Sequence, residues 1–234
     1  MEELVRYSVL FRSLDDEAAE ALRASMYEVR FRQGAVVFTE GDPGDSVYLV
    51  VSGQIKLART GAGRRESLLA VLGPSQVFGE LSLIDLGQRD ATATALTDLA
   101  MLQLSHPDLD RWLNERPIIT LGLLTQLARR LRRANDVVGD LVFADVPTRV
   151  ARTLVDLTAR FSVDVPPDPE HPSDPAGAVR VEHGLTQTDL AQLVGAARET
   201  VNKSLATFVA RGWIRLEQRA VIVLDSAALQ ERAR

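Results

Sequence analysis

Cysteine is missing from the 234 residues. Its absence rules out disulfides, thiolate nucleophiles and cysteine-ligated iron–sulfur clusters. Histidine is scarce: His106, His171 and His183 are the only three, with no metal-ligand spacing among them, so no metal is expected. No uninterrupted apolar run approaches the ~18 residues of a membrane-spanning helix. The opening MEELVRYSVLFRS carries acids where an export signal is basic, so the expected location is cytoplasmic, with no membrane partner. Basic residues are in deficit, 27 Lys and Arg against 32 Asp and Glu. That argues against indiscriminate nucleic-acid binding but leaves room for a local basic patch. No nucleophile elbow, P-loop or metal cluster occurs, so no enzyme is expected.

What remains is globular in composition, 46% hydrophobic and 25% charged, with length for one large or two ordinary domains. Asp15 and Asp16 ahead of EAAEALRASM predict a capped helix near the start. From about Glu28 to Ser105 the pattern turns β-rich: AVVF, VYLVV, QIKLA, SLLAVL and ATATALTDLAMLQL, with turns at GDPGD, TGAG and LGP. This spacing predicts a small antiparallel barrel or sandwich, with Gly41, Gly44 and Gly53 where the chain turns sharply.

A long helix is predicted from about Ile118 to Val142, opened by Pro117. Leu124, Leu127, Leu131, Ala134, Val138 and Leu141 recur at 3, 4, 3, 4, 3 along it, a heptad seam. Such a seam serves either a two-chain coiled coil or packing on the helix's own domain; its narrowness and the RRLRR on the other faces favour the coiled coil. A second helix is predicted from about Thr148 to Arg160. The proline-rich run between Val163 and Val179 cannot be a regular element and reads as a solvated loop.

LTQTDLAQLVGAARETVNKSLATFVARGWIRLEQRAVIVLD spans Leu185 to Asp225. Thr186 with Asp189 makes a capping-box start, and Gly195 breaks the first helix. A second helix begins near Arg198 with Val201, Leu205 and Phe208 inward, the spacing of a helix-turn-helix, and WIRLEQRAVIVLD reads as a two-stranded wing. Arg198, Glu199, Asn202 and Lys203 then face outward near the helix start. Arginine can read guanine O6 and N7, and glutamate can accept from cytosine N4. Residues 195–219 hold Arg198, Lys203, Arg211, Arg215 and Arg219 against Glu199 and Glu217, a local excess that suits phosphates. The competing reading is an ordinary helical hairpin with a solvated face.

The order of these segments, with GDPGDSVYLVVSGQIKL, FGELSLID, ARRLRR and LVGAARETVNKSLA, resembles the cyclic-AMP receptor protein/FNR superfamily, and within it the actinobacterial receptor proteins. The resemblance covers nearly the whole chain. It implies an α+β fold: an N-terminal double-stranded β-helix, the cyclic-nucleotide-binding β-roll, at 1–116; a long dimerisation helix and hinge at 117–145; and a C-terminal winged helix-turn-helix at 146–234. It implies a homodimeric, sequence-specific DNA-binding transcription regulator, modulated by cyclic AMP, acting on a TGTGA-N6-TCACA-like palindrome with RNA polymerase as a partner. Residues matching Arg198, Glu199 and Lys203 read bases, and those matching Thr186, Thr188 and Thr200 touch phosphates. In the pocket, Gly79, Glu80, Leu81 and Ser82 hold ribose and phosphate, and Arg89 neutralises the phosphate. Arg130, Ala134 and Asn135 lie on the long helix near the adenine.

Three positions depart from that pattern. Ala197 stands where a serine caps the recognition helix. Ala134 replaces a threonine, at a cost of ~1 kcal/mol. Asp90 replaces a hydroxyl donor to the phosphate, and a carboxylate ~4 Å from a phosphate oxygen repels it by up to ~4 kcal/mol at an effective dielectric near 20. Ala134 and Asp90 together, at ~2–4 kcal/mol once Asp90 turns partly toward water, weaken cyclic AMP by roughly 30- to 1000-fold. Asp90 leaves three readings open: weak cyclic AMP binding, a built-in phosphate substitute paired with Arg89 that frees the protein from nucleotide, or a different ligand. A different class, the nucleotide-sensing subunit of another protein, is disfavoured by the outward Arg198, Glu199 and Lys203.

Overall fold

The computed structural model of the chain describes residues 5–61, 66–85, 87–164, 175 and 177–234. They group into two compact units, 1–135 and 136–234. The division falls inside the long helix, not at either of its ends.

In the first unit, Asp15 accepts from Ala18 N at 2.8 Å and caps α1 (Asp16–Ala24). Eight strands follow: β1 (Tyr27–Phe31), β2 (Val36–Phe38), β3 (Ser46–Ser52), β4 (Ile55–Thr60), β5 (Glu66–Leu72), β6 (Val77–Phe78), β7 (Thr92–Ala95) and β8 (Leu99–Ser105). They form two four-stranded antiparallel sheets in the orders β1-β8-β3-β6 and β2-β7-β4-β5, the expected β-roll. β1 and β6 were not among the strands expected from the apolar runs. β1 is mostly solvent-facing, and β6 has two residues, too few for a period.

β3 shows why the roll has two cores. Its side chains alternate, as a strand's must, and both faces are buried. Val47, Leu49 and Val51 join Leu10, Leu22, Leu104, Trp112, Ile119 and Leu123 beneath the helices. Tyr48 and Val50 join Ile55, Phe78 and Met101 inside the roll. At Gly53 (φ +85°), an added Cβ would lie 2.2 Å from the Asp98 carbonyl oxygen, so no side chain fits the β3–β4 turn. Short helix α2 (Leu81–Ile84), α3 (His106–Glu115) and α4 (Pro117–Phe143) complete the sequence of elements up to the hinge.

In the second unit, Asp145 caps α5 (Val146–Phe161), accepting from Thr148 N at 2.8 Å. Val150, Ala151, Leu154, Leu157 and Phe161 make its buried stripe. β9 (Ser162–Asp164) and β10 (Val179–Val181) pair antiparallel. Between them, most of the expected proline-rich loop (165–174 and 176) lies outside the described residues. β11 (Ile214–Glu217) and β12 (Ala220–Val223) form the hairpin of a four-stranded sheet ordered β11-β12-β10-β9. α6 (Gln187–Val194), α7 (Arg198–Ala210) and α8 (Ser226–Arg232) pack around α5 or the sheet.

Two arginines clasp this unit shut. Arg232 Nη2 lies 2.7 Å from both Asp145 carboxylate oxygens. Arg152 donates to Ala233 O at 2.5 Å, to Arg234 O at 2.7 Å and to Asp140 near the end of α4. The bonds from Thr148 and Arg232 hold the Asp145 carboxyl down to about 2, so the clasp stays charged in mild acid.

His183 is 4% exposed, and its Nδ1 accepts from Leu185 N at 3.0 Å. Burial pushes its pKa down from 6.5 to about 4. Between those values the unfolded chain binds a proton that the folded chain refuses, so stability falls as pH drops through this window. From pH 7.5 to pH 5 the loss is about 2 kcal/mol. Urea melts at the two pH values should show it, and His183→Gln should lose most of the difference. Among the described residues, no helix is long and apolar enough to cross a membrane.

Candidate functional site

The first set of expected residues converges beside α2. Gly79 adopts φ +84°, and its carbonyl accepts from Arg89 Nη1 at 2.8 Å. Arg89 is only 3% exposed. Its Nη1 also donates to Ser82 Oγ at 3.0 Å, and its Nη2 to Ser46 O at 2.8 Å and Asp45 Oδ1 at 3.3 Å. The guanidinium lies over the Phe38 ring, 4.3 Å from its centroid. Phe38, Tyr48 and Phe78 cluster there with centroids 5.3–5.9 Å apart, Tyr48 and Phe78 stacked and Phe38 tilted against both. A buried cation needs such compensation, because desolvation alone is costly. Gly44, expected at a sharp turn, serves packing instead: a Cβ there would lie 2.2 Å from Ser82 Oγ.

Glu80 is fully buried. One carboxylate oxygen is ion-paired with Arg130 of α4, whose other terminal nitrogen donates to Val77 O. Gln126 of α4 reaches the same carbonyl at 3.1 Å. Burial pushes the Glu80 carboxyl up, Arg130 opposes the shift, and the charge of Asp90 adds to it. The second carboxylate oxygen, Oε2, is buried without a hydrogen-bond partner. Leu81, Ser82, Arg89, Asp90 and Arg130 line a cavity of about 50 Å³ together with Phe38, Leu57 and Leu69. Ala134 and Asn135 sit further along α4, exposed.

Asp90 does not pair with Arg89; every terminal bond of Arg89 goes elsewhere. Arg89 is buried and Asp90 exposed, although both border the same cavity. The reading of Asp90 as a built-in phosphate substitute therefore fails.

The second set gathers on α6 and α7. Thr186 and Asp189 form the full reciprocal capping box of α6. Gly195 ends that helix at φ +69°. Val201, Leu205 and Phe208 are buried, while Thr186, Thr188, Arg198, Glu199, Thr200 and Lys203 are exposed. Asn202 differs from expectation. It is half-buried, and its amide donates to Gln187 Oε1 at 3.2 Å. Arg198 Nη2 lies 3.5 Å from the same oxygen. Gln187 thus steadies two residues of the face, and its place at the start of α6 was the only signal for it.

The profile of the cyclic nucleotide-binding domain matches residues 28–116, and that of the Crp-like helix-turn-helix domain matches residues 148–232. The "CRP-like cAMP-activated global transcriptional regulator" of Mycobacterium tuberculosis is 44% identical over 234 residues, covering all of both chains. The chain belongs to the cyclic-AMP receptor protein (CRP) family. The "Cyclic AMP receptor protein" of Thermus thermophilus is 34% identical over 226 residues, 97% of each chain. Among solved structures, the T. thermophilus catabolite activator protein matches at a TM-score of 0.54 and 34% identity over 97% of this chain and 98% of that one. The c-di-GMP responsive regulator CLP of Xanthomonas campestris matches at 0.71 and 26% identity, over 89% of this chain and 99% of that one.

In this CRP-family chain α7 starts without a side-chain cap: Ala197 takes the extended N-cap conformation but offers no acceptor. Ala197→Ser should stabilise the second unit by about 1 kcal/mol. It should also tighten DNA binding at fixed salt. Thermal melts and a parallel titration check both, and unchanged values would show that Ala197 is neutral.

Along α4, the seam residues Leu124, Leu131, Val138 and Leu141 are 56%, 64%, 61% and 49% exposed on the single chain. Ala134 is exposed and Leu127 half-buried.

Proposed function

We propose that the chain acts as a homodimeric transcription regulator that reads a TGTGA-N6-TCACA-like palindrome, with Arg198, Glu199 and Lys203 on base edges and Thr186, Thr188 and Thr200 on phosphates. The observation that carries this reading is α7. Its inner residues are fully packed, and its first turns present Arg198, Glu199 and Lys203 to solvent. The helix start is the end that enters a major groove. The exposed seam on α4 supports pairing of two chains, because a row of isolated large apolar side chains gains by facing its own copy. A two-fold dimer places the two reading helices about 34 Å apart on an inverted repeat. RNA polymerase is the partner that the bound dimer recruits or blocks.

Signalling runs from the pocket to α4 through Arg130, which joins the helix to Glu80 and Val77 O. A ligand that competes for Glu80 changes that link and shifts the population of DNA-reading arrangements. The relative from M. tuberculosis is named for activation by cyclic AMP, and the X. campestris neighbour for its response to c-di-GMP. Here the ribose side fits a cyclic nucleotide, since Glu80 Oε2 is a buried acceptor awaiting a hydroxyl. The phosphate side does not fit, since Arg89 is committed to protein acceptors and Asp90 adds negative charge.

Gel shifts with the palindrome and a scrambled duplex at one salt concentration, alongside sedimentation of the free protein, test the reading. A monomer, or equal affinity for both duplexes, would overturn it.

A further inference from the structure

The starts of α6 and α7 meet through three side chains. Gln187 is the first residue of α6 and Arg198 the first of α7, with Asn202 one turn further along the same face. A guanidinium only donates, so Gln187 turns its Oε1 toward Arg198, whose Nη2 lies 3.5 Å away. The same oxygen can then take only the amide nitrogen of Asn202, at 3.2 Å. That choice leaves Asn202 Oδ1 buried without a hydrogen-bond partner, a cost that an amide turned to water would escape. Asn202 is half-buried, whereas Gln187 and Arg198 are exposed. Among the described residues Arg198 makes no ion pair, so no carboxylate draws it away from Gln187.

We propose that Asn202 and Gln187 form a positioning relay that presets Arg198 for its base, so that Gln187 sets sequence preference without itself contacting a base. This deepens the reading of α7 as the DNA-reading helix and rests on it. Arg198 uses one N–H on Gln187 and keeps four, two of which suffice for guanine O6 and N7. A long arginine side chain that is free in water must be ordered at the moment of binding, and one already held loses less. The contact to Gln187 is long in the free protein. A duplex laid over it excludes water, which strengthens it. Asn202 is the anchor of the relay: its partial burial fixes the amide that holds Gln187.

The test is fluorescence anisotropy on the full chain at one salt concentration, with the palindrome and with scrambled DNA, for Gln187→Ala, Asn202→Ala and Gln187→Glu. In each alanine variant the ratio of the two affinities should fall by roughly 5-fold or more, because the dimer must then order two free arginines. Affinity for scrambled DNA should stay where it was. Gln187→Glu keeps an acceptor in place and should keep the ratio, while its charge weakens binding to both duplexes alike. In an Arg198→Ala background, Gln187→Ala should change the ratio no further. Thr186 and Asp189 cap α6 without Gln187, so the fold survives its loss. An unchanged ratio in Gln187→Ala, equal losses on both duplexes, loss of the ratio in Gln187→Glu, or a further fall in the Arg198→Ala background would each overturn the relay and leave the DNA-reading function standing. A native protein with no preference for the palindrome would sink that function, and the relay with it.

Discussion

Arg198→Ala should sharply reduce discrimination between the palindrome and scrambled DNA while leaving the fold intact. Arg198 is the first residue of α7, exposed and steadied by Gln187. A bidentate arginine–guanine contact is worth about 1–3 kcal/mol. The dimer makes it twice, so the loss on the palindrome is about 2–6 kcal/mol, roughly 30-fold to 20,000-fold in affinity. Scrambled DNA should lose only the share due to one charge per chain. Thr200→Ala, at a position proposed to touch phosphate, gives the contrast, lowering affinity for both duplexes more evenly. Fluorescence anisotropy with both duplexes at fixed salt reads the difference. Equal losses for Arg198→Ala on the two duplexes would show that this side chain touches only phosphate.

Phe208→Ala should split the thermal unfolding of the protein. Phe208 is 1% exposed, and its ring centroid is 5.2 Å from that of Trp213. It closes the core behind α7 with Val201 and Leu205. Truncating such a ring costs about 3–5 kcal/mol in lost burial and cavity, against about 5–15 kcal/mol for a whole domain. The two compact units have separate cores, so the penalty stays with residues 136–234. Calorimetry should show an early transition for that unit and little change in the other. A single transition shifted by less than about 2 °C would mean that the site collapses around the cavity.

What could be read from the sequence followed the range of the interactions. Thr186 and Asp189 are three residues apart, so their capping box was visible in the letters alone. The same holds for the buried face of α7. The surroundings of Arg89 were not visible. Asp45 and Ser46 lie more than 40 residues away and meet it only because β3 runs through the roll beside that segment. Adjacency in sequence suggested an Arg89–Asp90 pair as one reading, whereas the bonds of Arg89 go to Gly79, Ser82, Ser46 and Asp45. Asn202 failed for a similar reason: helical periodicity places it on the outer face, but α6 brings Gln187 against it. The heptad along α4 was legible as a pattern, and Leu124, Leu131, Val138 and Leu141 stay exposed on the single chain.

The arginine clasp has a practical side. Arg152 and Arg232 tie the last residues of the chain back to positions 140–148, so the second unit is a ring fastened at its own doorway. A module closed in this way carries its boundary with it. A cut just ahead of Asp136 should release a piece that holds its shape, whereas clipping three residues from the far end would unfasten the hinge some ninety positions away in sequence.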